Sequence, residues 1–504
     1  MAVPIESNGV RSAPATSTFG SDATYANTAG VRNVDLTARA YNSGADVGFS
    51  NSLGVGSAND AASSLVSAGA LGTLALGAFS LYRTRARAKR AVVSSNAKSG
   101  QTSASACNKH GLERTTGHLE KGLLQSKMDD SHGGKNVAGV RDVDHIEFLV
   151  GNAKQAAIFF QQCFGFQPLA KSDLKTGSKD RASYVLTQGN IRLVLTTPLT
   201  DGGGSDLLGK HGDFVRTVAL TVDNCKHAFK TLVSRGAEAI TKPIQMKDEF
   251  GTATVARVKL YGDVVHLLVQ RDSDFTQKGG LFLPGFKSWK PDFLPKSVGL
   301  HTIDHVVGNV DWDQMDSWQE FYRKVFGFDI LQAFDANDIS TKYSALKSVV
   351  MTNGANVKLP INEPAQGVKK SQIEEYIDFN SGPGVQHLAL ATDDICKTVR
   401  EMRARGVQFL SIPKSYYDTL EKRVGKLDEN LQELKELNIL VDKDEGGYML
   451  QIFTQPLMDR PTFFIEVIQR KGSQSFGKGN FKALFESIEM EQKARGTLTD
   501  SKKR

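Results

Sequence analysis

The chain repeats itself, and the repeat limits what it can fold into. VDHIEFLVGNAKQAAIFFQQCFGF begins at Val143, and IDHVVGNVDWDQMDSWQEFYRKVFGF begins at Ile303. Each reads as a short strand, a helix with an apolar face, and a Phe-Gly-Phe turn into further strands. Ala157, Phe160 and Phe164 fall at helical spacing in the first copy, as do Trp318, Tyr322, Val325 and Phe326 in the second. A second pair, TVALTVDNCKHAFKTLVSRGAEA from Thr217 and HLALATDDICKTVREMRARGVQF from His387, aligns without a gap as strand, helix and Gly. A third pair closes each half: VVHLLVQR ends at Arg271 and FFIEVIQR at Arg470. The reading is two tandem halves, each built from two strand–helix–strands units.

The repeat also serves as its own control for function. His145, Thr217 and Leu267 in the first half align with His305, His387 and Glu466 in the second. A buried, unpaired carboxylate such as Glu466, in the middle of an apolar strand, is costly unless something opposes its charge. Two imidazoles and one carboxylate at equivalent strand positions form the facial triad of non-heme Fe(II) sites, with three positions left open. A single His on a strand is more often a core or surface residue. His145 shares the Asp-His context of His305 but lacks the other two ligands, so it reads as structural. His211, His227, His266 and His301 show no carboxylate partner in register.

The first 139 residues differ from the rest: they are rich in Ser, Ala, Gly and Thr and have no amphipathic period. Ala61–Tyr82 carries no charge and is followed by RTRARAKR at Arg83–Arg90. Its length would just span a bilayer, but Ala, Gly and Ser make it weakly apolar. The preferred reading of 1–139 is an organelle-targeting leader dispensable for catalysis; a retained membrane anchor and a disordered tail are the alternatives. The body is then expected to be soluble, in the cytoplasm or a plastid. The net charge is +7, but basic residues are scattered among acidic ones, which gives no nucleic-acid footprint. Cys107, Cys163, Cys225 and Cys396 form no CxxC pair and read as free thiols.

IDHVVGNV, LPINEP, KSQIEEYIDFNSGPGVQHLALAT, LQIFTQPLMDRPTFFIEVIQR and FGKGNFKALFESIE are long, specific segments. On them, the region from Asp142 to Gly496 resembles the 4-hydroxyphenylpyruvate dioxygenase family of the vicinal-oxygen-chelate fold group. The short KGSQSFGKGNF link is more similar to the bacterial and animal type than to the plant type. The resemblance implies an α+β fold: tandem halves of paired βαβββ modules forming open, barrel-like mixed sheets, bounded at 140–290 and 298–496. A C-terminal helix would lie over the second. It implies Fe(II) only in the second half, on His305, His387 and Glu466. It also implies oxidation of 4-hydroxyphenylpyruvate by O2 to homogentisate and CO2, a step of tyrosine breakdown. The keto acid's carboxylate and keto oxygens would take two open metal positions and O2 the third. 4-Hydroxymandelate synthase on the same scaffold, and a non-catalytic binding protein of the same fold, are the alternatives.

By matching position, Gln372, Gln386 and Gln451 are the expected catalytic polar groups. Ser348, Asn362, Phe453, Phe464, Asn480 and Phe481 are the expected substrate-binding residues. Neutral amides and hydroxyls hydrogen-bond a buried phenol without adding charge. Phe481, Leu484, Phe485 and Ile488 form one helical stripe with Asn480 as N-cap, preceded by the flexible GKG. The stripe reads either as a lid over the cavity or as a permanently packed helix. A homo-oligomer, dimer or tetramer, is expected, with the site-free first half available for subunit contacts.

Overall fold

The computed structural model describes residues 136–502 except 293 and 337. The leader up to residue 135, with Ala61–Tyr82, the basic cluster and Cys107, lies outside the described residues.

Two curled mixed sheets carry the two halves. In the first, the strands lie in the order Ala239–Asp248, Gly251–Lys259, Val265–Arg271, Phe214–Val222, Val140–Leu149, Ile191–Pro198, Arg181–Gln188, Gln167–Ser172 and the short Lys287–Ser288. In the second the order is Leu440–Asp444, Gly447–Phe453, Phe464–Lys471, Gly384–Thr392, Leu300–Asn309, Lys358–Ala365, Ala345–Thr352 and Asp329–Phe334. Apart from the added Lys287–Ser288, the two orders correspond strand for strand, so the repeat read from sequence is a repeat of topology. Each half is a pair of βαβββ units. Each unit carries one crossover helix: Ala153–Phe164 and Cys225–Ser234 in the first half, Met315–Phe321 and Ile395–Ala404 in the second.

Local chemistry sets the helix ends. Asn152, Asn224 and Asp394 each accept a hydrogen bond from the backbone N–H three residues on, which satisfies a donor the helix itself leaves open. The Phe-Gly-Phe turns follow because Gly165 and Gly327 adopt φ of 72° and 70°, where a side chain is strained. At Gly165 a Cβ would also stand 2.6 Å from the Lys296 carbonyl oxygen.

One large apolar core spans both halves, between the helix-bearing faces of the sheets. Phe148 of the first half meets Phe463 of the second edge-to-face at 5.0 Å. One polar group sits inside it. His266 Nδ1 lies 2.9 Å from the Val218 carbonyl oxygen and Nε2 lies 2.8 Å from the Tyr322 hydroxyl. A carbonyl only accepts, so Nδ1 carries the proton and Nε2 accepts from Tyr322. Burial lowers the His266 pKa to about 4. A folded-state pKa below the unfolded value means the unfolded chain binds the extra proton first. Stability from this residue is therefore complete above pH 6.5 and is lost as pH falls towards 4, a loss on the order of 3 kcal/mol. Urea midpoints measured from pH 7 to pH 4 should fall, and they should fall less in a His266→Gln variant.

His211 departs from the sequence reading. It bonds Asp263 through Nε2 at 2.9 Å, and His301 lies 3.4 Å from Asp393. These carboxylates come from loops, which strand register does not reveal. Cys163, Cys225 and Cys396 are free. Among the described residues, no helix is long and apolar enough to cross a membrane.

Candidate metal centre

Three neighbouring strands bring His305, His387 and Glu466 together. His305 pairs with Ala389 across the antiparallel Leu300–Asn309 and Gly384–Thr392 strands, and Ala389 pairs with Glu466 across the parallel Phe464–Lys471 strand. Strand alternation turns all three side chains to the same concave face. All three are buried, and their donor atoms lie within 4.8 Å of one another.

Each imidazole is oriented from behind. His305 Nδ1 lies 2.8 Å from Asp304 Oδ1, and His387 Nδ1 lies 2.9 Å from Gln386 Oε1. Both oxygens accept, so both Nδ1 atoms carry the proton and both Nε2 lone pairs face inward. Each Nε2 is 3.3 Å from Glu466 Oε2. Two ligands at a right angle, about 2.1 Å from a shared ion, stand about 3 Å apart, so this donor set fits a divalent cation. Burial alone would raise the Glu466 carboxyl. The imidazoles of His305 and His387 outweigh it and hold the pKa at about 2.

Behind His305 lies a buried ion pair that the sequence reading missed. Arg470 donates to Asp304 through Nε at 2.7 Å and Nη2 at 2.9 Å, and its guanidinium lies over the Phe476 ring at 5.5 Å. Phe476 in turn meets the His305 ring at 5.2 Å. The first half holds the same unit: Asp144 bonds His145, Arg271 pairs with Asp144, and Phe282 covers both. His145 thus belongs to a structural unit common to both halves.

The His-His-Glu group opens onto a cavity. It is lined by Ser348, Asn362, Gln372, Gln386, Gln451, Phe453, Phe464, Asn480 and Phe481, so every residue expected from the sequence is gathered there. The His387 ring stacks on Phe464 at 4.6 Å. No Lys or Arg among the described residues lines the cavity. Among the described residues, a carboxylate entering it therefore meets no Lys or Arg, and a cation held by the His-His-Glu group would supply the positive charge.

The roof is the Phe481–Arg495 helix. Its stripe divides: Phe485 and Phe481 join the cluster around Phe334 and Ile373, while Leu484 and Ile488 pack with Phe453 and Leu410. Glu489 is buried and accepts from Ser344 at 2.6 Å and from Thr341, which pins the helix in place. Asn480 holds the N-cap position, yet its side chain makes no cap hydrogen bond. It donates instead to Gln451 Oε1 at 2.7 Å, and Gln451 donates to Glu466 Oε1 at 3.0 Å. The hydrogen-bond chain from the Glu466 carboxylate outcompetes the cap.

That chain continues outward. The Tyr416 hydroxyl lies 2.7 Å from Asn480 Oδ1, and Arg423 Nη2 donates to it at 2.7 Å. Asp442 accepts from the Gly479 N–H at 3.1 Å. The glycines admit this packing: a Cβ on Gly477 would stand 2.2 Å from Gln451 Oε1, and one on Gly479 would stand 2.3 Å from Asp442 Oδ1. Tyr416 lies between the two halves' shared motifs, in a helical excursion the first half lacks, so the repeat held no signal for it. Tyr416→Phe removes the outer anchor of Asn480. Losing one hydrogen bond of about 1 kcal/mol should lower kcat/KM roughly fivefold, with metal content unchanged by elemental analysis.

The comparisons with known proteins agree with this geometry. The model of the Glyoxalase/Bleomycin resistance protein/Dioxygenase superfamily matches residues 142–256 and 302–452. The chain is 48% identical over 374 residues to 4-hydroxyphenylpyruvate dioxygenase of Yarrowia lipolytica, covering 71% of this chain and 94% of that protein. It is 47% identical over 367 residues to the enzyme of the same name from Danio rerio, covering 70% and 91%. Among solved structures, a mutant of 4-hydroxymandelate synthase from Streptomyces coelicolor superimposes with a TM-score of 0.62 at 32% identity, over 70% of this chain and 99% of that one. With nearly half of its residues shared across almost the full length of such relatives, the chain belongs to the 4-hydroxyphenylpyruvate dioxygenase family.

Proposed function

We infer that this protein uses iron(II) on His305, His387 and Glu466 to oxidise 4-hydroxyphenylpyruvate with O2, giving homogentisate and CO2. One oxygen atom of O2 enters the new carboxylate and the other the ring hydroxyl, while the original carboxylate leaves as CO2. The observation that carries the reading is the buried His-His-Glu face opening onto a cavity with neutral polar and aromatic walls. When bound, the iron supplies O2 activation and the positive charge that anchors the keto acid.

The chain's own residues supply position and exclusion of water. Gln386 is anchored on His387 through Oε1 and approaches Gln372 at 3.5 Å through Nε2, so this amide pair has a defined orientation. Gln451 is held between Glu466 and Asn480. Ser348 and Asn362 pair in register on adjacent strands and present a hydroxyl and an amide to the far end, where the phenol would sit. Phe453, Phe464 and Phe481 offer ring faces to the aromatic substrate. The pinned helix keeps water from the reacting atoms. A homo-oligomer remains our reading of the assembly.

The rival outcome is benzylic hydroxylation, as in the name of the solved relative. The higher identity to dioxygenases favours ring attack. Chromatography after incubation with Fe(II), ascorbate and 4-hydroxyphenylpyruvate should show homogentisate as the main product. Mainly 4-hydroxymandelate would move the protein to the rival activity.

A further inference from the structure

The strand correspondence identifies what the first half holds where the second holds its site. Thr217 and Leu267 replace His387 and Glu466. Thr196 and Ser183, paired in register, stand where Asn362 and Ser348 are paired. Arg257 is paired with Leu267 as Phe453 is paired with Glu466. Arg216 precedes Thr217 as Gln386 precedes His387, and Arg181 lies two residues before Ser183 as Leu346 does before Ser348. Three positions that line the substrate cavity in the second half are therefore arginines in the first.

One carboxylate sits among them. Glu147 accepts from Thr196 at 2.9 Å through Oε1 and from Thr217 at 2.6 Å through Oε2. Both its oxygens are thus engaged by hydroxyls. The side chains of Arg216 and Arg257 make no hydrogen bond or close ion pair among the described residues, and that of Arg181 meets only Asp180, at 3.5 Å. Asp206 and Asp263 also face Arg216. Asp263 is already shared by Lys210 and His211. Burial lowers the pKa of both Arg216 and Arg257, and the nearby charge of Glu147, shared between them, offsets this only in part.

We propose that the concave face of the first half binds a compact oxyanion, a carboxylate or a phosphate, between Arg257, Arg216 and Arg181. Planar guanidinium forks suit both groups and bind them bidentately. Partly buried cations that share a single carboxylate are costly, and a further anion reduces that cost. Glu147 opposes the ligand's charge, so it limits the affinity.

Calorimetric titration of the full chain with inorganic phosphate and with acetate, at low ionic strength, tests the site. Wild type should bind one equivalent of at least one probe. Arg257→Gln should weaken binding about tenfold or more, the loss of a strong charged hydrogen bond. Glu147→Gln should tighten binding, because it removes the opposing charge and keeps a group that can bond both threonines. These opposite signs separate a site from general destabilisation. Both variants should retain turnover of 4-hydroxyphenylpyruvate, and Arg216→Gln gives a second cation to remove if Arg257→Gln does not fold. Binding should persist in Glu466→Ala, which disables the other half's centre. Tighter phosphate indicates a phosphorylated ligand; acetate binding as tight or tighter indicates an organic acid. No binding of either probe, unchanged binding in Arg257→Gln, weaker binding in Glu147→Gln, or loss in Glu466→Ala would each overturn the proposal.

Discussion

Glu466→Ala should abolish turnover, by roughly a thousandfold or more, and release the metal. Glu466 is the only anionic ligand among the three, and its Oε2 is the point both imidazoles face. A bound cation supplies several kcal/mol of charge stabilisation, and each 1.4 kcal/mol is a factor of ten in rate. The fold should survive, because the substitution removes a buried charge and leaves His305 and His387 held by Asp304 and Gln386. His145→Ala is the matched control. It removes the aligned histidine from the half without ligands, so metal stoichiometry should stay near one. Metal content by elemental analysis and product by chromatography read both variants. Loss of metal in His145→Ala with retention in Glu466→Ala would reverse the assignment of the two halves.

The His-His-Glu group was legible because the repeat aligns a half that has it with a half that does not. A lone His carries little information, but three positions that change together carry much. The same alignment held a second signal. Both halves end in Gln-Arg and begin with Asp-His, and the structure shows why. Gln270 and Gln469 accept from the backbone N–H of Cys225 and Ile395 at the helix starts. Arg271 and Arg470 reach back to Asp144 and Asp304. These residues persist in both halves because they hold the sheet closed, which is independent of metal. Tyr416, Arg423 and Asp442 were not legible. They come from a segment without a counterpart, and their role depends on a turn at Gly477–Asn480 that only the folded chain brings near. Asn480 shows the limit of local rules: a good N-cap residue at the right position is diverted by a buried network.

Arg470→Met should destabilise the protein and weaken its metal site together. The substitution keeps the bulk against Phe476 but leaves the Asp304 carboxylate, which is 8% exposed, facing only Lys358 at 3.7 Å and His305. Breaking a buried pair from one side costs about 3–5 kcal/mol, and Lys358 should bring this to the lower end. Asp304 fixes the proton of His305 on Nδ1, so a displaced carboxylate also lets the imidazole turn, and such losses lower metal affinity about 10–100-fold. The first half separates the two effects. Arg271→Met breaks the same unit around Asp144, where His145 lies outside the His-His-Glu group. It should show a comparable drop in denaturant midpoint with iron affinity unchanged. If Arg271→Met lowered iron affinity as much as Arg470→Met, the loss would report general loosening of the fold, and Asp304 would have no specific part in orienting His305.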